Sequence, residues 1–302
     1  MVLPALEQDT MTAIRAWLKE IRPHQWAKNL LIFLPGLAAH LQWDRAQVIQ
    51  LLSGFAAFSF LASAVYVVND LVDLPNDRVH PTKRNRPVAA GLISPSAAIA
   101  GAALLVTVAV AATWRLPRNF QLTLLVYLAI TTAYSFLLKR RILLDVICLA
   151  SLYTIRVVAG STLVAAPLSQ WFLAFSIFFF FSLALVKRVA ELRPLVTEPA
   201  QQVAGRGYAA TDLPMLTSLG TGASMASALV YCLYITSAEV TLLYRHPKWL
   251  WVGLPLFLYW VARVWLLTTR GRMNEDPVVF ALKDRMSYLI AAGFMITILI
   301  AA

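Results

Sequence analysis

Apolar stretches of about 20 residues, the length that crosses a bilayer core as a helix, recur along this chain with short polar breaks between them. They predict nine helices, at residues 29–43, 47–69, 95–114, 120–138, 143–164, 169–187, 215–237, 248–267 and 285–302. The first is short and contains Pro35-Gly36, which predicts a kink or tilt. The expected fold is therefore all-α, a polytopic membrane protein with nine transmembrane helices. No repeat at a fixed period, no low-complexity tract and no long hydrophilic stretch breaks the pattern, so residues 1–302 read as a single transmembrane domain. Its two longest polar connections, about 70–94 and 188–214, are expected to form a polar site and a cap over it; the second carries three prolines, Gly205 and Gly207.

Composition supports the membrane reading, with 60% hydrophobic and 14% charged residues. Lysine and arginine collect in cytoplasmic loops, and here twenty fall on the side of the N-terminus against five on the other. That asymmetry predicts a cytoplasmic N-terminus, cytoplasmic polar loops and an external C-terminus. It also explains most of the net charge of +11, so no nucleic-acid partner is expected. Met1 to Glu20 is mixed and partly acidic, which predicts no cleaved signal peptide. Cys148 and Cys232 lie in apolar runs as small packing residues, and His24, His40, His80 and His246 lack the spacing of metal ligands.

Chemistry is expected where Asn69, Asp70, Asp73 and Asp77 form the cluster N-D-x-x-D-x-x-x-D at the mouth of the second helix. On a continuing helix these four share an arc of about 100° and could face one cavity. Pro75 disturbs that picture by removing a backbone hydrogen bond, leaving open whether Asp77 sits on the helix or on the loop after it, so the expected convergence is above all that of Asp70 and Asp73. Clustered carboxylates repel one another, and an all-oxygen set suits Mg²⁺ bridging to a substrate diphosphate. Asn69, Asp70, Asp73 and Asp77 are thus the candidate catalytic and metal-binding residues. The alternative, ordinary charges at the membrane surface paired with Lys83, Arg84 and Arg86, is disfavoured because carboxylates at a membrane mouth are by default functional.

Cations surround this cluster in sequence. Lys83, Arg84 and Arg86 follow it directly, and Arg22, Gln25, Lys28 and Asn29 sit beside Trp26 where the first helix meets the membrane surface. Arg156 lies in the middle of a predicted span, where a lone cation should face a polar cavity, an acidic residue or a substrate phosphate; Tyr134 and Asp145 are candidates to line that cavity. Tyr66, Lys139, Lys187, Arg188 and Glu191 complete the candidate substrate-binding set.

The Asn69-Asp70-x-x-Asp73-x-x-x-Asp77 motif, nine spans and a polar loop after helix six resemble the UbiA-type intramembrane prenyltransferases over nearly the whole chain. The resemblance implies a helical bundle around a lipid groove, with Mg²⁺ and a diphosphate held by the acidic motif. Aromatic prenyltransferases of that superfamily carry a second aspartate-rich motif after helix six, where this chain has Lys187-Arg188-Val189-Ala190-Glu191-Leu192. Two cations and one carboxylate stand where several carboxylates are usual, which argues for a second anionic substrate, since Lys and Arg bind phosphate directly. Together with Ile21-Arg22-Pro23-x-Gln25-Trp26-x-Lys28-Asn29, His80-Pro81-Thr82-Lys83-Arg84-x-Arg86-Pro87 and Ala281-Leu282-Lys283-Asp284-Arg285, this resembles the decaprenyl-phosphate phosphoribosyltransferase branch. That branch implies transfer of 5-phosphoribose from phosphoribosyl diphosphate to a polyprenyl phosphate, in the bacterial inner membrane, as a step toward lipid-linked arabinofuranose donors. On that chemistry Lys83, Arg84 and Arg86 are candidates for donor phosphate contacts and Lys187, Arg188 and Glu191 for the donor's 5-phosphate or ribose, the alternative for the basic residues being a purely topological role; Arg22, Gln25, Lys28 and Asn29 are candidates for the lipid head group, or an interfacial anchor. A prenyltransferase moving a polyprenyl group from its diphosphate to an aromatic acceptor needs the same core and is the alternative. A transporter is disfavoured because no repeated halves with broken helices are visible. Oligomeric state stays open.

Overall fold

The computed structural model describes residues 5–39, 44–80, 82–165, 168–194, 207–273 and 276–302. Among them there is no β-strand, and the helices run in order as α1 Ala5–Ile21, a 3-10 segment Pro23–Phe33, α2 Leu34–Ala38, α3 Arg45–Val72, α4 Leu74–Val79, α5 Pro95–Thr113, α6 Arg118–Phe136, α7 Leu144–Leu163, α8 Gln170–Leu192, α9 Leu213–Ile235, α10 Ala238–Leu243, α11 Gly253–Thr269, α12 Pro277–Ala281 and α13 Arg285–Ala301. Local chemistry sets several of these limits. Asp44 opens α3 with a capping box, accepting from Gln47 N at 2.7 Å while the Gln47 side chain accepts from Asp44 N. Asp284 opens α13 by accepting from Ser287 N.

Six helical stretches are long and apolar enough to cross a membrane, at Arg45–Val72, Pro95–Thr113, Leu144–Leu163, Gln170–Leu192, Ala210–Ile235 and Pro247–Thr269. Three of the nine predicted spans fall outside that set. The stretch predicted at 29–43 folds as the end of the 3-10 segment and the five-residue α2, and its residues 40–43 lie outside the described set. Helix α6 has the length, but Asn119, Gln121, Thr123, Thr131 and two tyrosines dilute its apolar character. Helix α13 is apolar but has only 17 residues.

The helices alternate in direction, and side-chain ties collect the chemistry at one end. Lys139 after α6 reaches Asp73 after α3, Arg188 near the end of α8 reaches Asp145 at the start of α7, and Arg263 of α11 grips Asp284 at the start of α13. A cavity of about 680 Å³ lies at the other end, lined by Gln47, Gln50, Asn119 and Ser161 among others, with no charged lining residue among the described residues.

The 3-10 segment is the element that brings the N-terminal region to the site. It runs against α3 and α7, clipped to α3 by Trp26 Nε1 donating to Ser63 Oγ at 3.0 Å, Asn29 Nδ2 donating to Ser59 Oγ at 3.0 Å, and Ser63 Oγ donating to the Ile21 carbonyl at 2.7 Å. On its α7 side the approach depends on Gly160, where a Cβ would lie 2.0 Å from the Ile32 carbonyl oxygen. Gly160→Ala is therefore expected to push the segment off α7 and destabilise the protein by about 1–3 kcal/mol. Thermal unfolding in detergent checks this; an unchanged midpoint would show that the contact relaxes freely.

Candidate functional site

Polar side chains form a stripe down α3 at helical spacing: Ser59, Ser63, Tyr66 and Asp70. Asp70, at the cytoplasm-predicted end of this stripe, is a hub. Its buried carboxylate accepts from Arg22 on one oxygen and from Arg86 Nη1 at 2.8 Å on the other. The same Arg86 nitrogen donates to Asp77 at 2.6 Å, so one guanidinium ties the two acids together. Arg22 also lies over the Tyr66 ring, 4.9 Å from its centroid.

Pro75 does not cast Asp77 into a loop. Helix α3 ends at Val72, Asp73 serves as the junction, and α4 restarts at Leu74 with Pro75 in its first turn, where a missing N–H costs nothing. Asp77 thereby stays helical and is buried. Asp73 points elsewhere, about a third exposed and 3.5 Å from Lys139. Asn69 turns the same way and donates to Ser135 Oγ at 3.0 Å. The expected single cluster is thus divided: Asp70 and Asp77 share Arg86, while Asp73 and Asn69 lean toward the end of α6. As placed, no three acidic or metal-ligating side chains among the described residues converge tightly enough to hold an ion. The donor set nevertheless fits a hard divalent cation, because every candidate ligand offers oxygen and the arginines on Asp70 and Asp77 are a quarter exposed or nearly so, free to move onto an anionic ligand.

Sequence reasoning missed Glu20. It sits in the last turn of α1, fully buried against Asp70. Burial, and then the neighbouring Asp70 charge, push its carboxyl up to about 7, with Arg22 opposing. A carboxylate two residues from Arg22 reads in sequence as an ordinary surface neighbour, so nothing local signalled its burial.

The two inner arginines take partners other than those expected. Arg156 is buried and its hydrogen bonds go to neutral oxygens: Nε donates to Asn29 Oδ1 at 2.8 Å, Nη2 to Tyr127 OH at 3.1 Å, and Nη1 to the Leu152 carbonyl. Tyr134 and Asp145, expected beside Arg156, belong instead to Arg188. Arg188 is completely buried; it meets Asp145 at 2.8 Å and Glu191 one turn on. Tyr208 closes this cluster, donating to Asp145 and accepting from Leu143 N at 2.8 Å. Part of the predicted cap, residues 195–206, lies outside the described set. Tyr127 was missed although it lies seven residues before Tyr134 on one face of α6, a spacing that could have found it.

Lys28 and Lys187 converge on a residue that no motif marked, Asp276, which precedes α12. Tyr153 OH donates to both of its oxygens, at 3.1 and 3.0 Å. Gln25 is half-buried on the 3-10 segment, and Lys83 and Arg84 are exposed on the loop after α4.

Comparison with known proteins accords with this architecture. The model of the UbiA prenyltransferase family matches residues 29–290. An uncharacterized protein of Sinorhizobium fredii is 40% identical over 92% of this chain, although the chain spans only 54% of that relative's length. The decaprenyl-phosphate phosphoribosyltransferase of Mycobacterium tuberculosis is 34% identical over 93% of this chain and 92% of its own. The nodulation protein NoeC of Azorhizobium caulinodans is 33% identical over 90% of this chain and 88% of its own. Among solved structures, a UbiA homolog from Archaeoglobus fulgidus bound to GPP and Mg²⁺ superposes with a TM-score of 0.70, covering 94% of this chain and 99% of that one at 17% identity, a likeness of fold.

Proposed function

This chain belongs to the UbiA prenyltransferase family, and from that premise we propose that it transfers 5-phosphoribose from phosphoribosyl diphosphate to a polyprenyl phosphate with the help of Mg²⁺, giving a polyprenylphosphoryl-5-phosphoribose and diphosphate. The observation that carries this reading is the charge of the second polar locus. Where an aromatic prenyltransferase would present further carboxylates after the sixth predicted helix, this chain has Lys187-Arg188-Val189-Ala190-Glu191-Leu192, and Lys187 shares Asp276 with Lys28, which suits a substrate pair with phosphates at both ends. The relative named decaprenyl-phosphate phosphoribosyltransferase supports it. The reading places the site on the cytoplasmic face of the bacterial inner membrane, with the N-terminus cytoplasmic and the C-terminus external.

Asn69, Asp70, Asp73 and Asp77 would hold Mg²⁺, which when bound supplies positive charge to the leaving diphosphate. Arg22 and Arg86, now on Asp70 and Asp77, are placed to turn onto the diphosphate oxygens, and Lys139 onto the same group from α6. Lys83 and Arg84 contribute attraction for the donor from the exposed loop. The sugar carbon becomes cationic as its bond to the diphosphate breaks, and the acceptor phosphate, already anionic at neutral pH, attacks it without a strong general base. Tyr66 and Gln25 flank the Arg22 position and define the wall of the site. Arg188, sealed by Asp145, Glu191 and Tyr134, acts through position, fixing α8 so that Lys187 faces the substrate. Catalysis on this scheme comes from orientation and electrostatics, in keeping with a site poor in histidine.

The test incubates purified protein in detergent with Mg²⁺, labelled phosphoribosyl diphosphate and a polyprenyl phosphate, and follows label into the organic phase. Label is expected to enter, to stop with EDTA, and to resume when Mg²⁺ is restored. Turnover of a polyprenyl diphosphate with an aromatic acid, and none of the phosphoribosyl donor, would favour the prenyl-transfer alternative.

A further inference from the structure

Lys28 lies in the 3-10 segment, Tyr153 in α7, Lys187 in α8 and Asp276 ahead of α12, yet all four meet at one point. Asp276 receives Lys28 Nζ at 2.8 Å, Lys187 Nζ at 3.5 Å and the Tyr153 hydroxyl on both oxygens. Its side chain is only 7% exposed. Burial alone would raise its carboxyl, but Lys28 and then Lys187 hold it down at about 2, so it is ionised and fully used as a counterion.

Among the described residues the charge does not close. One carboxylate faces two ammonium groups, and Arg156, whose Asn29 partner is next to Lys28, adds a third cation satisfied by neutral oxygens. A buried cation without a counterion is costly, and a single carboxylate neutralises only one of the two lysines. An excess of this kind fits an anion of higher charge. A phosphomonoester offers three terminal oxygens that share up to two negative charges, one oxygen for each of Lys28, Lys187 and Tyr153, where a carboxylate has two oxygens and one charge.

The way Asp276 is mounted agrees. It arrives on a connection between α11 and α13 and caps the five-residue α12, accepting from Val278 N at 3.1 Å. Its tie to Lys187 is the looser of the two, and Lys187 is 28% exposed, open to a ligand.

We propose that Lys28, Lys187 and Tyr153 form one phosphomonoester subsite, with Asp276 as the internal counterion that the incoming phosphate replaces. The two lysines then serve a single phosphate and not one substrate each. This rests on the reading that the substrates carry phosphates, and it applies equally to a lipid head group or a sugar phosphate.

Binding is measured by calorimetry on the purified full-length protein without Mg²⁺, using farnesyl phosphate and ribose 5-phosphate as separate probes. For the probe that uses the subsite, Asp276→Asn is expected to tighten binding about tenfold by removing the competing anion, and Lys187→Met to weaken it about tenfold. Lys187→Met leaves Lys28 to neutralise Asp276, so its thermal midpoint should stay near that of the wild type, and it decides the matter if Asp276→Asn fails to fold. A response confined to farnesyl phosphate assigns the subsite to the lipid, and one confined to ribose 5-phosphate assigns it to the sugar donor. The proposal is overturned if neither probe binds saturably, if Lys187→Met affects neither, or if a folded Asp276→Asn binds both no more tightly. Binding without Mg²⁺ needs no turnover, so failure of the transfer assay and failure of this subsite are read separately.

Discussion

Asp70→Asn is expected to lower the proposed phosphoribosyl transfer on the order of 10³-fold while leaving the protein folded. Asp70 is the point at which the two arms of the site join, through Arg22 on one oxygen and Arg86 on the other. An amide keeps the shape but lacks the charge, so it would neither hold a divalent cation nor fix two guanidinium groups in place. The fold should survive for a specific reason. Arg22 and Arg86 have side chains 22% and 27% exposed, so water can take over the hydrogen bonds the carboxylate gives up. Relief of the Glu20 repulsion offsets part of the loss as well. The measurement is the label-transfer rate, with a thermal scan of the same sample. Transfer within tenfold of wild type would remove Asp70 from the centre of the mechanism. Asp73→Asn is expected to abolish transfer too, but because Asp73 is a third exposed and pairs loosely with Lys139, its effect on stability should be smaller still.

Arg188→Met should have the opposite character, a large loss of stability that precedes any question of activity. Arg188 and Asp145 are each completely buried, and Met in place of the arginine removes the guanidinium that meets the aspartate at 2.8 Å. Removing one partner of such a pair costs about 3–5 kcal/mol. The Tyr208 hydroxyl would remain on Asp145 but cannot neutralise it. The double variant Arg188→Met with Asp145→Asn should recover most of that loss, because the carboxylate that the arginine met is then neutral. Inactivation half-lives at elevated temperature order the three proteins, and a single variant as stable as wild type would show that water reaches the pair. Contrasted with Asp70, the same type of ion pair has different consequences because exposure differs.

Much of this was legible in the chain. Hydropathy alone identified an all-helical membrane protein, and six of the predicted spans coincide with helices able to cross a bilayer. The N-D-x-x-D-x-x-x-D cluster lies at the end of α3 where Arg22, Arg86 and Lys139 gather, and its resemblance to the UbiA family matches the family model. These properties depend on neighbours within one or two turns of helix, which the sequence states directly. Partnership does not. Nothing local distinguishes Asp70 and Asp77, joined by Arg86, from Asp73, which turns to Lys139. Arg156 and Arg188 look equivalent as cations in apolar helices, yet one is satisfied by neutral oxygens and the other by two carboxylates. Glu20 and Asp276 carry no motif and gain their surroundings from elements far away in the chain.

The sequence by itself therefore determined the class of fold and the end of the bundle where charge gathers, since each follows from composition and short-range periodicity. Only the tertiary structure decided that the described part of the first predicted span is the end of a 3-10 segment packed against α3 and α7 followed by the short α2, which cation holds which acid, and that two lysines 159 residues apart share Asp276. The physical reason is distance: ion pairs and buried hydrogen bonds form over about 3–4 Å, and which groups come that close is set by how helices pack, down to the absence of a Cβ at Gly160.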